Sequence, residues 1–195
     1  MPVLAGATAE ARQIQASLTD RNVSIAENAG ATREATLAAL ADPGAWVHIA
    51  AHGIARPQRI GYAGVWLEPA SPDAQPVFLS WLDILDAGVD ADIIVLNACD
   101  LGDSGEAING NLSFAAAVSR AGAHQVVAAL WPISDSAAAL WVPEFYSKLS
   151  ASPEHDTATS LRAAQLRLRS TSVFRHPYFW AGMQATQRMN VAERP

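Results

Sequence analysis

The chain has 195 residues, half of them hydrophobic and 16% charged, which is enough apolar material for a core and excludes a largely disordered chain. Its net charge of -6 argues against a general nucleic-acid surface, and no apolar run approaches the roughly 20 residues needed to span a bilayer. One cysteine excludes an internal disulfide and makes a reducing, cytoplasmic setting the expectation, and Met1 is followed by no charged and then apolar leader, so no signal peptide is expected. In chain order, Ala7, Ala11, Ile14 and Leu18 share one face of a predicted helix over 7–18. Residues 22–26 read as a weak strand. Thr32 caps a helix to Leu40 with Leu37 and Leu40 inward, and Asp42-Pro43-Gly44 stops it. Ala45 to Gly53 reads as a buried strand that stops on His52-Gly53, and 54–61 reads as a loop. Strand-like Tyr62–Leu67 and Val77–Leu79 suggest a hairpin inserted after His52. Ser80 caps a short helix, Trp81 to Ala87, ended by Gly88.

A second buried strand covers 91–97, followed by a polar segment, 100–110. Gly110 or Asn111 opens a helix to Ala121, with Leu112, Ala115 and Ala116 on its narrow face. His124 to Leu130 is a third buried strand, stopped by Trp131-Pro132. Asp135 caps a helix to about Leu149, and Pro143 within it demands a kink or a restart. A helix over 157–170 and a last strand over Tyr178–Met183 complete the pattern, with a frayed tail from about residue 187. Strands alternating with helices predict an α/β layered sandwich with a mostly parallel sheet, in one domain over 1–195.

Two strand ends carry the reactive side chains. The first runs Trp46-Val47-His48-Ile49-Ala50-Ala51-His52-Gly53, the second Ile93-Ile94-Val95-Leu96-Asn97-Ala98-Cys99. Parallel strands of an open α/β sheet present their carboxyl ends to one crevice, so His52 and Cys99 are expected to meet there. A thiol becomes a strong nucleophile once a neighbouring imidazole takes its proton or stabilises the thiolate. Gly53 lacks a Cβ, so its N–H can approach a substrate closely, and the N–H of Cys99 is a second candidate donor for an oxyanion. The competing reading is a small buried structural Cys beside a hydrogen-bonded His. Two nucleotide or hydrolase alternatives lack support: no Gly-x-Gly-x-x-Gly or phosphate loop follows any strand, and there is no Gly-x-Ser-x-Gly elbow.

His52-Gly53 after an apolar strand resembles the His-Gly of caspase-like cysteine peptidases, a group that includes caspases, separase and gingipains, and Asn97-Ala98-Cys99-Asp100 is similar to their strand-ending Cys. Further segments resemble one branch, the CHAT domain often found beside tetratricopeptide repeats. They are Ala121-Gly122-Ala123 leading into Val126 to Pro132, then Phe145-Tyr146, and His176-Pro177-Tyr178-Phe179-Trp180-Ala181. The resemblance runs from roughly Glu10 to Gly182. It implies a three-layer caspase-like sandwich with a non-monotonic strand order, and hydrolysis of peptide bonds in a protein or peptide substrate. Cys99 would be the nucleophile, His52 the general base and acid, and the N–H groups of Gly53 and Cys99 the oxyanion hole. No cofactor or metal is implied, and an upstream repeat or sensor domain is the expected regulator. A catalytically silent scaffold of the same fold is the alternative.

Asp135 and Asp100 are weaker candidates. In similar peptidases the segment after the third strand lines the pocket for the residue before the cut, where an acid would favour Arg or Lys. A helix cap at Asp135 and a solvated Asp100 are the plain alternatives. His48 lies four residues before His52, about 13 Å along a strand, too far to share a metal with it. It reads as a hydrogen-bonded core residue, and the six Trp read as packing groups.

Overall fold

The computed structural model describes residues 5–55, 63–67, 75–98 and 113–188. Its central sheet has the order β1 (Trp46–Ile49), β5 (Ile93–Leu96), β6 (Gln125–Ala129), β7 (Met183–Gln187). The first three strands are parallel, and β7 is antiparallel to β6. A second, antiparallel sheet contains β2 (His52–Ala55), β3 (Ala63–Leu67) and β4 (Val77–Ser80). Among the described residues the central sheet runs in chain order, because the chain segment between β1 and β5 folds into this separate sheet. The non-sequential order implied by the resemblance is not seen there.

The period of two along each strand divides the core. Ile94 and Leu96, with Val126 and Ala128, face one apolar cluster with Leu40, Ile84, Phe114 and Val118. These residues come from helices α2 (Arg33–Leu40), α3 (Trp81–Ala87) and α4 (Phe114–Ala121). Ile93 and Val95, with Val127 and Ala129, face the other cluster, among Ile14, Trp141, Phe145, Leu149, Leu161 and Leu168. Those belong to α1 (Ala5–Ser17), α5 (Asp135–Ala151) and α6 (Thr157–Ser170). Helices therefore cover both faces, which is why β5 and β6 read as unbroken buried runs rather than alternating ones. A three-layer α/β sandwich with a mostly parallel sheet is the result.

Local chemistry sets most helix ends. The Thr32 hydroxyl accepts from Ala35 N–H at 3.2 Å to start α2. Ser80 and Asp83 cap α3 reciprocally, with Asp83 also held by Arg33 at 2.8 Å. Burial pushes the Asp83 carboxyl up, but hydrogen bonds from Ser80 and Arg33 outweigh it and hold the group below its ordinary value. Gly122 follows α4 at φ +139, and a Cβ there would lie 1.9 Å from the Val89 carbonyl oxygen. The Val89 N–H in turn donates to Ala121 O at 3.0 Å, tying the end of α4 to the approach to β5. Gln125 of β6 binds α6 across the core: its side-chain oxygen accepts from Thr157 N–H and Oγ1, and its amide donates to His155 O.

Several expectations change. Residues 22–26 form no strand, since no neighbouring strand pairs with them. Ile54 and Ala55 belong to β2 rather than a loop, so the insertion is three-stranded and includes His52 and Gly53. Helix α4 begins at Phe114 behind a Ser113 cap, and its buried face carries Phe114, Ala115, Ala117 and Val118. Gly110, Asn111 and Leu112 lie outside the described residues. Ser134, not Asp135, occupies the cap of α5, which runs through Pro143 as one helix. The Tyr178–Met183 strand is replaced by a short helix α7 (Pro177–Trp180), followed by β7. Pro177 starts that turn, and the His176 ring accepts from Tyr178 N–H, a cap that the aromatic run concealed. The six Trp all pack: Trp141 is buried in the core, Arg21 stacks 3.6 Å above Trp46, Trp66 meets Phe78, Trp131 stacks on Tyr178, Trp180 bonds to Arg175 O, and Trp81 lies against the first cluster.

Candidate active site

Strands β1 and β5 are adjacent and parallel, with Trp46, Val47, His48 and Ile49 opposite Ile93, Ile94, Val95 and Leu96. Pairing continues one step past β5, where Asn97 N–H donates to Ile49 O at 2.9 Å. His52 lies three residues beyond Ile49, and Cys99 three residues beyond its partner Leu96, so the two candidates have equal sequence offsets from a matched pair. Ala98, the last described residue before Cys99, is buried. Cys99 and Asp100 themselves lie outside the described residues.

After Ile49 the chain leaves the central sheet through half-buried Ala50 and Ala51, and Ala51 packs on the first core cluster. His52 and Gly53 then pair with Trp66 and Val65 of β3. The second sheet thus fixes the backbone of the half-buried His52. Asp135 is exposed, and its carboxyl group lies against Gly6 in the first turn of α1, where a Cβ would come within 3.0 Å of the Asp135 carboxyl carbon. A carboxylate beside a helix start is favoured by the exposed N–H groups there.

The structure also assembles residues that were not singled out together from the sequence. Glu10 of α1 is 6% exposed and reaches the sheet. Both its carboxylate oxygens accept from the Asn97 side-chain amide at 2.8 Å. His48 Nε2 lies 2.7 Å from Glu10 Oε1, an ion-pair distance, although the oxygen sits off the line of a directed hydrogen bond. The other ring nitrogen, Nδ1, is 2.8 Å from the Tyr146 hydroxyl of α5. Burial first, and the Glu10 carboxylate second, push the Tyr146 phenol well above its ordinary value, so it keeps its proton. His48 is therefore a hydrogen-bonded core residue, as its strand position suggested. A sequence signal for Glu10 existed: it continues the buried Ile14, Leu18 series four residues back, at helical spacing. Among the described residues no group of three His, Cys, Asp or Glu is arranged to hold a metal ion, and no helix is long and apolar enough to cross a membrane.

A family model described as the CHAT domain matches residues 1–188. The chain belongs to the CHAT family. The CHAT domain is a caspase-like peptidase family, and here it accounts for nearly the whole chain. Curated relatives include tetratricopeptide repeat protein 28 of Homo sapiens and of Mus musculus, each 30% identical over 111 residues. That match covers 57% of this CHAT chain and 4% of each relative's length.

Proposed function

We propose that this CHAT domain is a cysteine endopeptidase that cleaves peptide bonds through Cys99 and His52. The observation that carries the reading is the family match over residues 1–188, in a chain that retains a His-Gly after β1 and a Cys after β5. The adjacency of β1 and β5, with equal offsets to His52 and Cys99, supports it. In the mechanism, the Cys99 thiol gives its proton to His52, and the thiolate attacks the scissile carbonyl carbon. The oxyanion is met by the N–H groups of Gly53 and Cys99. His52 then protonates the departing amine, leaving a thioester. Water, deprotonated by His52, releases the carboxylic acid and regenerates the thiol. The substrate is a protein or peptide, and Asp100 and Asp135 are secondary candidates for contacts before the cut. A cytoplasmic setting and control by a repeat or sensor domain complete the proposal, the latter supported by the repeat proteins among the relatives.

The test is Cys99 alkylation against pH in the native chain and in His52→Ala, followed by proteolysis assays of Cys99→Ala. A dyad predicts a rate profile displaced below the ordinary thiol value of about 8.5, returned towards it by His52→Ala, and proteolysis abolished by Cys99→Ala. Proteolysis unchanged in Cys99→Ala would refute the nucleophile. The second reading is a catalytically silent scaffold of the same fold. That reading predicts an ordinary thiol profile and cellular function intact in Cys99→Ala.

A further inference from the structure

The buried carboxylate of Glu10 is unused by the mechanism above, yet it joins both strands that lead to the candidate dyad. Burying a carboxylate is unfavourable unless its oxygens are partnered, and a medium-sized apolar residue would fill the same α1 position without that penalty. Here both oxygens are partnered, and the partners are placed specifically. Asn97 stands two residues before Cys99, and His48 stands four residues before His52. Tyr146 closes the far side of the His48 ring from α5.

The bond from Asn97 N–H to Ile49 O is the last backbone link between these strands among the described residues. Three residues beyond Ile49, His52 enters the second sheet. At that point the side-chain contacts of Glu10 bridge the β5 exit and β1, alongside the packing of Ala98 and Ala51 in the first apolar cluster. We propose that Glu10 is a positioning residue, which through Asn97 and His48 sets the separation of the chain segments carrying Cys99 and His52. This rests on the dyad reading above. It makes α1 a positioning element for the dyad, acting through Asn97 and His48. Displacement of α1 by a neighbouring domain would then be felt at the nucleophile through one carboxylate.

The experiment is the pH profile of Cys99 alkylation in the whole chain, measured by intact mass in native protein, His52→Ala, Glu10→Ala, Glu10→Gln and Asn97→Ala. Thermal unfolding is recorded for each. A displacement of about 1 Å in a reacting group can cost on the order of 100-fold in rate, so a tenfold or greater fall in alkylation at pH 7 is expected for Glu10→Ala and Asn97→Ala. Their profiles should move towards the ordinary thiol value, and a variant carrying both Glu10→Ala and Asn97→Ala should be no worse than either single one, as for residues acting in one contact. Glu10→Gln keeps the size and one acceptor oxygen, so it serves if Glu10→Ala does not fold; its profile should shift in the same direction by less. A merely structural Glu10 would lower the unfolding temperature and leave the profile of the folded variants unmoved. That result, with a native profile that His52→Ala restores to normal, overturns the positioning role alone. A native profile already that of an ordinary thiol and indifferent to His52→Ala overturns the dyad and this inference together.

Discussion

Tyr146→Phe separates the two contributions of the buried polar cluster cleanly. The substitution removes one oxygen, 2.8 Å from His48 Nδ1, from a ring that is 2% exposed and packed edge-on against Phe145. The ring itself stays, so no large cavity opens. What is lost is one hydrogen bond whose other partner remains buried, which costs about 1–3 kcal/mol. For a chain of this size that lowers the midpoint of thermal unfolding by roughly 2–4 °C per kcal/mol. The pH dependence has a fixed sign. In the unfolded chain the phenol loses its proton near its ordinary value of 10.0, whereas in the folded chain burial and Glu10 keep it protonated to higher pH. The folded state thus binds more protons above pH 10. Stability contributed by Tyr146 is fully present below that pH and is lost as pH rises through 10 towards the folded value, by up to about 1.4 kcal/mol per pH unit. Phe has no such proton. Denaturant unfolding followed by circular dichroism from pH 7 to 11 should show the native chain more stable at pH 7 and the difference shrinking above pH 10. A variant as stable as the native chain at pH 7, or a difference constant up to pH 11, would refute the argument.

Other perturbations test the frame that holds the strands. Gly122→Ala places a Cβ against the Val89 carbonyl at φ +139, and should destabilise by more than about 2 kcal/mol, whereas Gly30→Ala meets open space and should change the unfolding temperature little. Asp83→Asn removes the charge from the α3 cap and from the pair with Arg33, and should cost about 1 kcal/mol at pH 7 by denaturant unfolding. Because the folded Asp83 value is depressed, its contribution is present above the ordinary carboxyl value of 3.8 and disappears as pH falls through the folded value. The two proteins should therefore converge in acid; a gap that persists at pH 2 would show that charge is not the cause.

Element type was largely legible because its causes are local. Thr32 and Ser80 announce helix starts by side chains that bond three residues on, Gly88 an end, and Ile93–Leu96 and Val126–Ala129 show by unbroken apolar runs that both their faces are covered. Local signals in competition were misread. The aromatic run at Tyr178–Trp180 looked like a strand, but Pro177 and the His176 cap turn it into a helix. Likewise, Ile54 and Ala55 look like loop in the sequence because their strand character comes from pairing with β3, which no local pattern reports.

The sequence by itself determined the residue types and their order along the chain: an imidazole three residues after the end of β1 and the single cysteine three residues after the end of β5. Only the tertiary structure decided that these strands are neighbours in register, and that a carboxylate from α1 contacts both His48 of β1 and Asn97 after β5. Glu10 and Asn97 are 87 residues apart, and His48 and Tyr146 98 apart. A charged side chain on a helix reads as solvated until the partners that make its burial tolerable are folded around it. That is why the strands and the inward helical spacing of Glu10 are legible in the sequence, whereas its partnership with Asn97 and His48 is not.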